Sequence, residues 1–441
     1  MKITAVIAEY NPIHNGHAGH IKKAKEETGA DYIVAVMSGD YVQRGAPAVI
    51  SKYERAKEAL LTGIDLVIEL PSYYSSGSLE YFASGATALL QKLGIADFIS
   101  FGSECGDIDM LKRAASFMPL NEKRQDPTLP RQLSYGTNYS KAVNSSEGIP
   151  EDVKAVLATP NNLLAAAYIN TAESFGLNCG FHTTKRTKDA YNDVSPGALS
   201  SSSIRAELLS SLEPASKVAG ISARIPENAF DSLLGYLGAY SPVSEDDLSL
   251  PVFLRIQDII KTSLCRGDDP ADVLASYLDV SKGLSHKILN RYEHATSFTD
   301  LCRTLKSKDL NHARISRALL HIILGIRSEY SAEYINDGYV YYARPLGFKR
   351  SAGELMHELK KRSSIPIVSK NADAKEVISS FYMSDSRDIS CQRGTDPGIV
   401  LSHALRMFRE DIASSDLYMR LICNKIGRPF ISEYERSAVI I

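Results

Sequence analysis

Through its first hundred residues the chain alternates short apolar runs with longer amphipathic ones. "ITAVIAEY" (3–10), "YIVAVMSG" (32–39), "DLVIELP" (65–71) and "DFISFG" (97–102) are nearly all apolar and rich in β-branched residues. Between them "HAGHIKKAKEETG" (17–29), "SKYERAKEALLTG" (51–63) and "LEYFASGATALLQKLG" (79–94) read as helices that stop at glycine, the second with Ser51 at its N-cap. Strands that lack a polar face and are separated by helices predict a parallel sheet covered on both sides. Such sheets take ligands beyond the carboxyl ends of their strands, near the point where strand order reverses.

Further on, the polar, proline-bearing stretch 119–149 reads as an excursion from the sheet, a lid or substrate loop. "PNNLLAAAYINTAESFG" (160–176) predicts a helix and "LNCGFHTTKR" (177–186) a strand. The Ser-rich turn at 195–203 runs into a helix at "SSIRAELL". The expected organisation is an α/β unit over 1–212, a Rossmann-like parallel sheet, followed by a mainly helical region over 213–330 and a small mixed α/β part over 331–441. Helices are expected at 252–264, 270–278, 286–307 and 312–326, and a mixture of short strands and helices over 340–348, 353–369 and 416–427.

Composition narrows the class without naming it. A hydrophobic fraction of 44% and a charged fraction of 23% are those of a globular protein. The apolar run "ALLHIILGI" (318–326) is far short of the roughly 20 residues of a membrane span, and the N-terminal run lacks a signal-peptide cleavage site. A cytoplasmic protein without membrane attachment is expected. Six cysteines (Cys105, Cys179, Cys265, Cys302, Cys391, Cys423) form no CxxC pair, which fits a reducing compartment and gives no support to a zinc site. With a formal charge of −2, any nucleic acid must be met by a local basic patch.

The chemistry concentrates in "EYNPIHNGHAGH" (9–20), between the first strand and the first helix. A helix N-terminus there turns its free N–H groups and positive dipole end toward a ligand, which favours phosphate. Gly16 permits close approach of a nucleotide, Pro12 stiffens the entry, and His14 and His17 can donate N–H bonds to phosphate oxygens. The bland alternative for one such histidine is a cap or a surface residue. Metal binding is disfavoured, because neither histidine has a carboxylate or thiolate at ligand spacing. In "SSSSIRAEL" (200–208), Ser202, Ser203 and Arg205 could be an N-cap cluster or could hold phosphates and neutralise a leaving pyrophosphate.

The order Asn-Pro-x-His-x-Gly-His after the first strand resembles the HxGH signature of the nucleotidyltransferase superfamily, and the late Ser-Ser-x-x-Arg pattern agrees with it. More specifically, "MSGDYVQRGAPAVISKYERAKEALLTGIDLVIELP" (37–71), "FGSECGD" (101–107), "TPNNLLAAAY" (159–168), "SSSSIR" (200–205), "LKSKDLNHARISRALLHIILGI" (305–326) and "YYARPLGF" (341–348) resemble the bacterial tRNA(Met) cytidine acetate ligases. Residues 106–158 and 187–195 resemble that family less. The resemblance implies a ligase that uses ATP, with Mg2+, and acetate to form acetyl-adenylate. It then passes the acetyl group to the wobble cytidine of elongator tRNA(Met), giving N4-acetylcytidine. Two other readings stay open: an adenylyltransferase acting on a small phosphorylated metabolite, and a non-catalytic nucleotide- or RNA-binding protein.

Carried over by position, the resemblance implies catalytic roles for His14, His17 and Arg205. It implies ATP contacts from Ile7, Ala8, Glu9, Tyr10, Asn11, Pro12, Ile13, His14, Asn15, Gly16, His17, Ala18, Gly19 and His20. Gly102, Asn161 or Asn162, Arg186, Ser202 and Ser203 complete that set. Taken singly, Gly102 is a plain turn, the Asn pair a cap, and Arg186 a solvated charge. Gln43, Arg44, Lys52 and Arg55 could engage phosphate or tRNA; equally, Lys52 and Arg55 could form the outer face of an amphipathic helix. For tRNA, Lys306, Lys308, His312, Arg314 and Arg317 are expected to make a helical basic patch, with a second cluster in "KRSAGELMHELKKR" (349–362); each could equally be a solvated helix face.

Overall fold

The structure is a computed structural model that describes residues 1–118, 148–186, 200–210, 220–308, 310–384 and 396–441. The excursion expected over 119–149 therefore falls almost wholly outside the described residues, as do Cys391 and the boundary near 212.

A seven-stranded sheet organises the chain. Its strands are β1 (Ile3–Ala8), β2 (Tyr32–Ser38), β5 (Leu66–Leu70), β6 (Phe98–Ser103), β7 (Gly180–Lys185), β8 (Pro345–Phe348) and β9 (Val439–Ile440), in the order β7-β6-β1-β2-β5-β8-β9. The strands from β7 to β5 are parallel; β8 runs antiparallel to β5, and β9 parallel to β8. A small hairpin, β3 (Tyr41–Val42) with β4 (Ala46–Pro47), follows β2. Gly45 turns that hairpin at φ +82°. A Cβ there would lie 2.3 Å from the Arg317 amide nitrogen, so only glycine lets the turn sit against the helix behind it.

The helices that matter for the site are α1 (Asn15–Thr28), α2 (Lys52–Thr62), α3 (Leu79–Leu93), α4 (Pro160–Ser174), α5 (Ser201–Leu209), α6 (His312–Leu324) and α7 (Pro397–Ile426). Alternate strand residues feed opposite faces of the sheet. Ala5, Val34, Val36, Ile68 and Ile99 pack with Leu89 of α3 and Ile169 of α4. Val6, Ile33, Ala35 and Val67 pack with Ile21 of α1 and Leu60 of α2. The expected doubly covered parallel sheet is what forms, because the strands carry apolar residues at both parities. Each buried Val, Ile or Leu contributes roughly 2 kcal/mol.

A separate cluster, including Ile256, Leu284, Phe298, Leu301 and Leu319, joins the helices between 249 and 324. The helix expected over 286–307 is two helices. The first ends at Arg291, and Ser297 accepts the Asp300 amide to cap a new one at Phe298–Leu305. The segment 416–427, expected within a mixture of short strands and helices, is the last part of α7, which begins at Pro397 behind the Asp396 cap and runs 30 residues. Tyr418, Met419 and Ile422 of α7 complete the helical cluster. The region 331–441 also supplies β8 and β9, so it extends the sheet built by the first hundred residues. Among the described residues, no helix is long and apolar enough to cross a membrane.

Candidate functional site

After β1 the chain passes to β2 and β5 on one side, then returns to β6 on the other. Strand order thus reverses between β1 and β6. A cavity of about 530 Å³ lies there, bordered by the loop after β1, the start of α1, Gly102 of β6 and the start of α4. Helix α1 opens on a capping box built from histidines. His14 Nδ1 accepts the Gly16 amide at 3.1 Å, and His17 Nδ1 accepts the His14 amide at 3.2 Å. The two rings stack with centroids 3.8 Å apart, and Tyr10 meets His17 edge-on.

A main-chain N–H can only donate, so both Nδ1 atoms are acceptors and each neutral ring carries its proton on Nε2. Burial, with Arg186 and Arg205 adding to it, pushes His14 down to about 4. His17 is lowered further by burial, then by His14 and Arg186. Both imidazoles are therefore neutral Nε2–H donors at physiological pH, locked in orientation by their own helix cap.

Helix α5 faces them. Ser200 caps it by accepting the Ser203 amide, and Ser201 Oγ donates to the Pro12 carbonyl. Arg205 reaches back to the first loop, donating to the Asn11 carbonyl at 2.7 Å and to Ser202 Oγ at 3.0 Å. Ser203 is turned the other way, where its hydroxyl accepts from Arg224.

The opposite wall resolves the Asn pair. Glu104 accepts the amide nitrogens of Asn161 and Asn162, and it also accepts Asn161 Nδ2 at 2.6 Å. Asn162 Oδ1 in turn accepts from the amides of Glu104 and Cys105. Asn162 is thus a clamp that joins α4 to the end of β6. Asn161 lines the cavity, with Oδ1 accepting from Arg186 at 3.2 Å. A Cβ at Gly102 would come within 3.1 Å of the Arg186 side chain, so the bare glycine lets that arginine lie across the strand end.

Of the residues expected at the site, Ile7, Ala8, Glu9, Tyr10, Asn11, His14, His17, His20, Gly102, Asn161, Arg186, Ser202 and Arg205 line the cavity. Pro12, Ile13, Asn15, Gly16, Ala18, Gly19, Asn162 and Ser203 are not part of that lining; Ile13 is fully buried, while Asn15, Gly16 and Gly19 are exposed and Asn15 bonds the Ala223 carbonyl. Gln43 and Arg44 also line the cavity, and the Gln43 amide donates to Glu9 Oε1. Among the described residues, Arg44, Arg186, Arg205 and Arg317 line the chamber with one carboxylate, Glu9, so even with Arg317 paired to Asp279 its walls carry an excess of positive charge. Sequence reasoning missed Asn311, Ala313 and an apolar wall of Leu79, Phe82, Phe101, Leu164, Ala165 and Tyr168. The signal for that wall was present only as the apolar stripes of α3 and α4.

Both expectations for Lys52 and Arg55 are corrected: neither touches the cavity and neither is on an outer face. Lys52 is buried, with Nζ 2.7 Å from Glu433, 2.9 Å from Glu69 and 3.7 Å from Asp40; Arg344 pairs with the same two glutamates. Burial and Arg344 push the Lys52 pKa down, but the three carboxylates outweigh them and hold it above the ordinary value. Arg55, fully buried, donates to the carbonyls of Glu9, Ser38, Gly39 and Ile50, tying together the loops after β1 and β2. Helix α2 is buried on more than one side, so its charges had to find partners inside.

The basic stretch 306–317 is not one helix. Lys306 follows the end of the helix Phe298–Leu305, Lys308 lies in a turn closed by the Ser307–Leu310 bridge, and α6 starts at His312. Lys306, Lys308 and His312 are exposed and Arg314 is half-buried. Arg317 is buried at the cavity wall, with Nε 3.0 Å from Asp279 Oδ2.

Comparison with known proteins places this geometry among relatives. The family described as HIGH Nucleotidyl Transferase matches residues 1–428. The chain is 34% identical over 395 residues to a tRNA(Met) cytidine acetate ligase of Thermoanaerobacter sp. (strain X514), covering 87% of this chain and 92% of that one. It is 32% identical to the protein of the same name from Acetivibrio thermocellus, covering 100% of both. Among solved structures it superposes on Thermotoga maritima TmcAL bound with alpha-thio ATP with a TM-score of 0.82 and 26% identity over 100% of both chains, and on the apo form with a TM-score of 0.81.

Proposed function

The chain belongs to the HIGH nucleotidyl transferase family and, within it, to the tRNA(Met) cytidine acetate ligases. From that premise we propose that it activates acetate with ATP and acetylates N4 of the wobble cytidine of elongator tRNA(Met) in the cytoplasm. An acetate oxygen attacks the α-phosphorus, pyrophosphate leaves, and acetyl-adenylate remains. The cytidine N4 then attacks the acetyl carbonyl and AMP departs. Acetate is a poor acyl donor and the cytosine amine a weak nucleophile, so prior activation and close positioning are both required.

One observation carries the reading: two stacked, neutral imidazoles, each with Nδ1 bound to its own helix cap, offer Nε2–H donors at the reversal of strand order. In this reading His14 and His17 hold the triphosphate as charge moves through the α-phosphate, and Arg205 with Ser202 steadies the leaving pyrophosphate. Arg186 and Asn161 lie beside Gly102 and the apolar wall, which suits a flat adenine and its ribose. Magnesium enters with the triphosphate as a counter-ion, since Glu9 is the one lining carboxylate among the described residues. The tRNA approaches across Arg44, Lys306, Lys308 and His312, with Arg314 and Arg317 nearer the chamber.

The test is incubation of the protein with ATP, labelled acetate and bulk tRNA. Label recovered as N4-acetylcytidine supports the reading. Acetate-independent transfer of AMP to a small phosphorylated metabolite, or ATP binding without turnover, counts against it.

A further inference from the structure

His20 lines the same cavity, yet it differs from its two neighbours in which nitrogen is engaged. Its Nε2 lies 2.9 Å from Ser100 Oγ on β6. That hydroxyl lies 2.8 Å from His182 Nδ1 on the edge strand β7, and His182 Nε2 lies 2.7 Å from Glu27 Oε2. The Glu27 side chain is 54% exposed. Four groups thus link the chamber floor to solvent through three short hydrogen bonds.

The direction of the chain follows from its outer end. The hydrogen bond from His182 holds Glu27 below the usual carboxylate range, so it is ionised and only accepts. His182 Nε2 must then donate; in the ring form that carries this one proton, Nδ1 is the acceptor. The Ser100 hydroxyl donates to that atom and accepts from His20 Nε2–H. Neutral His20 is left with an unprotonated Nδ1. A lone pair cannot grip a phosphate oxygen, so His20 suits a donor such as an amine.

We infer that His20, Ser100, His182 and Glu27 form a proton relay serving the second half-reaction. The inference rests on the acetyl transfer proposed above. As the cytidine N4 forms its bond to the acetyl carbon, the carbon–oxygen bond to AMP breaks and AMP leaves with the electron pair. The N4 proton passes to His20 Nδ1, the Nε2 proton of His20 to Ser100 Oγ, and the Ser100 proton to His182 Nδ1. The charge comes to rest as a His182 imidazolium beside the Glu27 carboxylate, from which water removes it. Burial, reinforced by His182 and Arg186, pushes His20 down to about 4, so it does not hold the proton but hands it on. His20 is the catalytic residue of the set; Ser100, His182 and Glu27 act through it.

The test compares His182→Gln and Ser100→Ala with the unaltered protein. Glutamine keeps hydrogen-bonding atoms at position 182 but cannot carry a proton. Acetyl-adenylate formation is followed by ATP–pyrophosphate exchange. Transfer is followed by mixing the preformed enzyme–acetyl-adenylate complex with tRNA in a single turnover, in H2O and D2O. Both variants are expected to slow transfer by about tenfold or more, to change its solvent isotope effect, and to leave exchange near the unaltered rate. Transfer at the unaltered rate overturns the relay, and so does an equal fall in exchange and transfer, which marks a merely structural role. If Ser100→Ala does not fold, His182→Gln on the edge strand decides alone. An unaltered protein that forms acetyl-adenylate but no acetylated tRNA overturns the proposed function and removes the relay's task with it.

Discussion

His17 lies against His14 with ring centroids 3.8 Å apart, and each ring gives Nδ1 to a main-chain amide of the same helical turn. One side chain thereby does two jobs, and substitution can separate them. Asparagine places an acceptor near the Nδ1 position, and glutamine a donor near Nε2. His17→Asn should keep the cap while lowering ATP–pyrophosphate exchange by about 10²–10³-fold. His17→Gln, which can still accept the His14 amide from the third helical position, should stay within about 1 kcal/mol of the unaltered stability in urea denaturation while retaining more exchange. A His17→Asn protein with full exchange would remove the donor role.

Acid should destabilise the fold through His14. Its folded pKa, about 4, lies below the unfolded value of about 6.5. Between those values the unfolded chain binds more protons, so stability is complete above pH 6.5 and declines as pH falls toward 4. The His14 contribution to that loss is roughly 2 kcal/mol by pH 4.5. Urea midpoints at pH 7 and pH 4.5 should diverge more for the unaltered protein than for His14→Asn.

The buried charges around Lys52 form one unit. Lys52→Met leaves Glu69 and Glu433 facing each other without their ammonium, which should cost about 3–5 kcal/mol. Adding Glu433→Gln should recover part of that loss. Denaturant titration of the single and double variants measures the coupling; strict additivity would show that the groups act independently.

Arg44 is exposed at the cavity rim, on the hairpin that follows β2. If it meets a tRNA phosphate, Arg44→Ala should weaken tRNA binding and flatten the slope of log affinity against log salt by roughly one unit. Binding isotherms at several salt concentrations read both quantities. An unchanged slope would place the phosphate contacts elsewhere.

Much of the sheet was legible because its signals are local. Apolar runs at both parities announced a doubly covered sheet, and Ser51 and Gly63 marked the ends of α2 within a residue. The chemistry near His14 was legible for the same reason, since those residues are neighbours in the chain. What failed was reading charge on α2. Lys52 looked available because its partner Glu433 lies 381 positions away, and no periodicity carries that fact. The choice between Asn161 and Asn162 stayed open in the sequence for a similar reason, because Glu104, just past the end of β6, sets which of them borders the cavity. The pair of helices at 282–305 was missed although Ser297 was an ordinary capping residue, whereas a cap was one reading of a single histidine at the start of α1, but not a box in which His14 and His17 both take part.

The pairing of β9 with β8, and of Glu433 with Lys52, has a consequence for the order in which the molecule is made. During synthesis β1, β2 and β5 emerge early, yet β8, which closes the far side of β5, follows much later, and β9 and Glu433 later still. The nascent sheet must wait for most of translation with an open edge at β5 and a lysine behind it that has met only two of its three carboxylates. A message truncated just short of codon 433 would yield a chain with every histidine of the nucleotide chamber and no finished support beneath it.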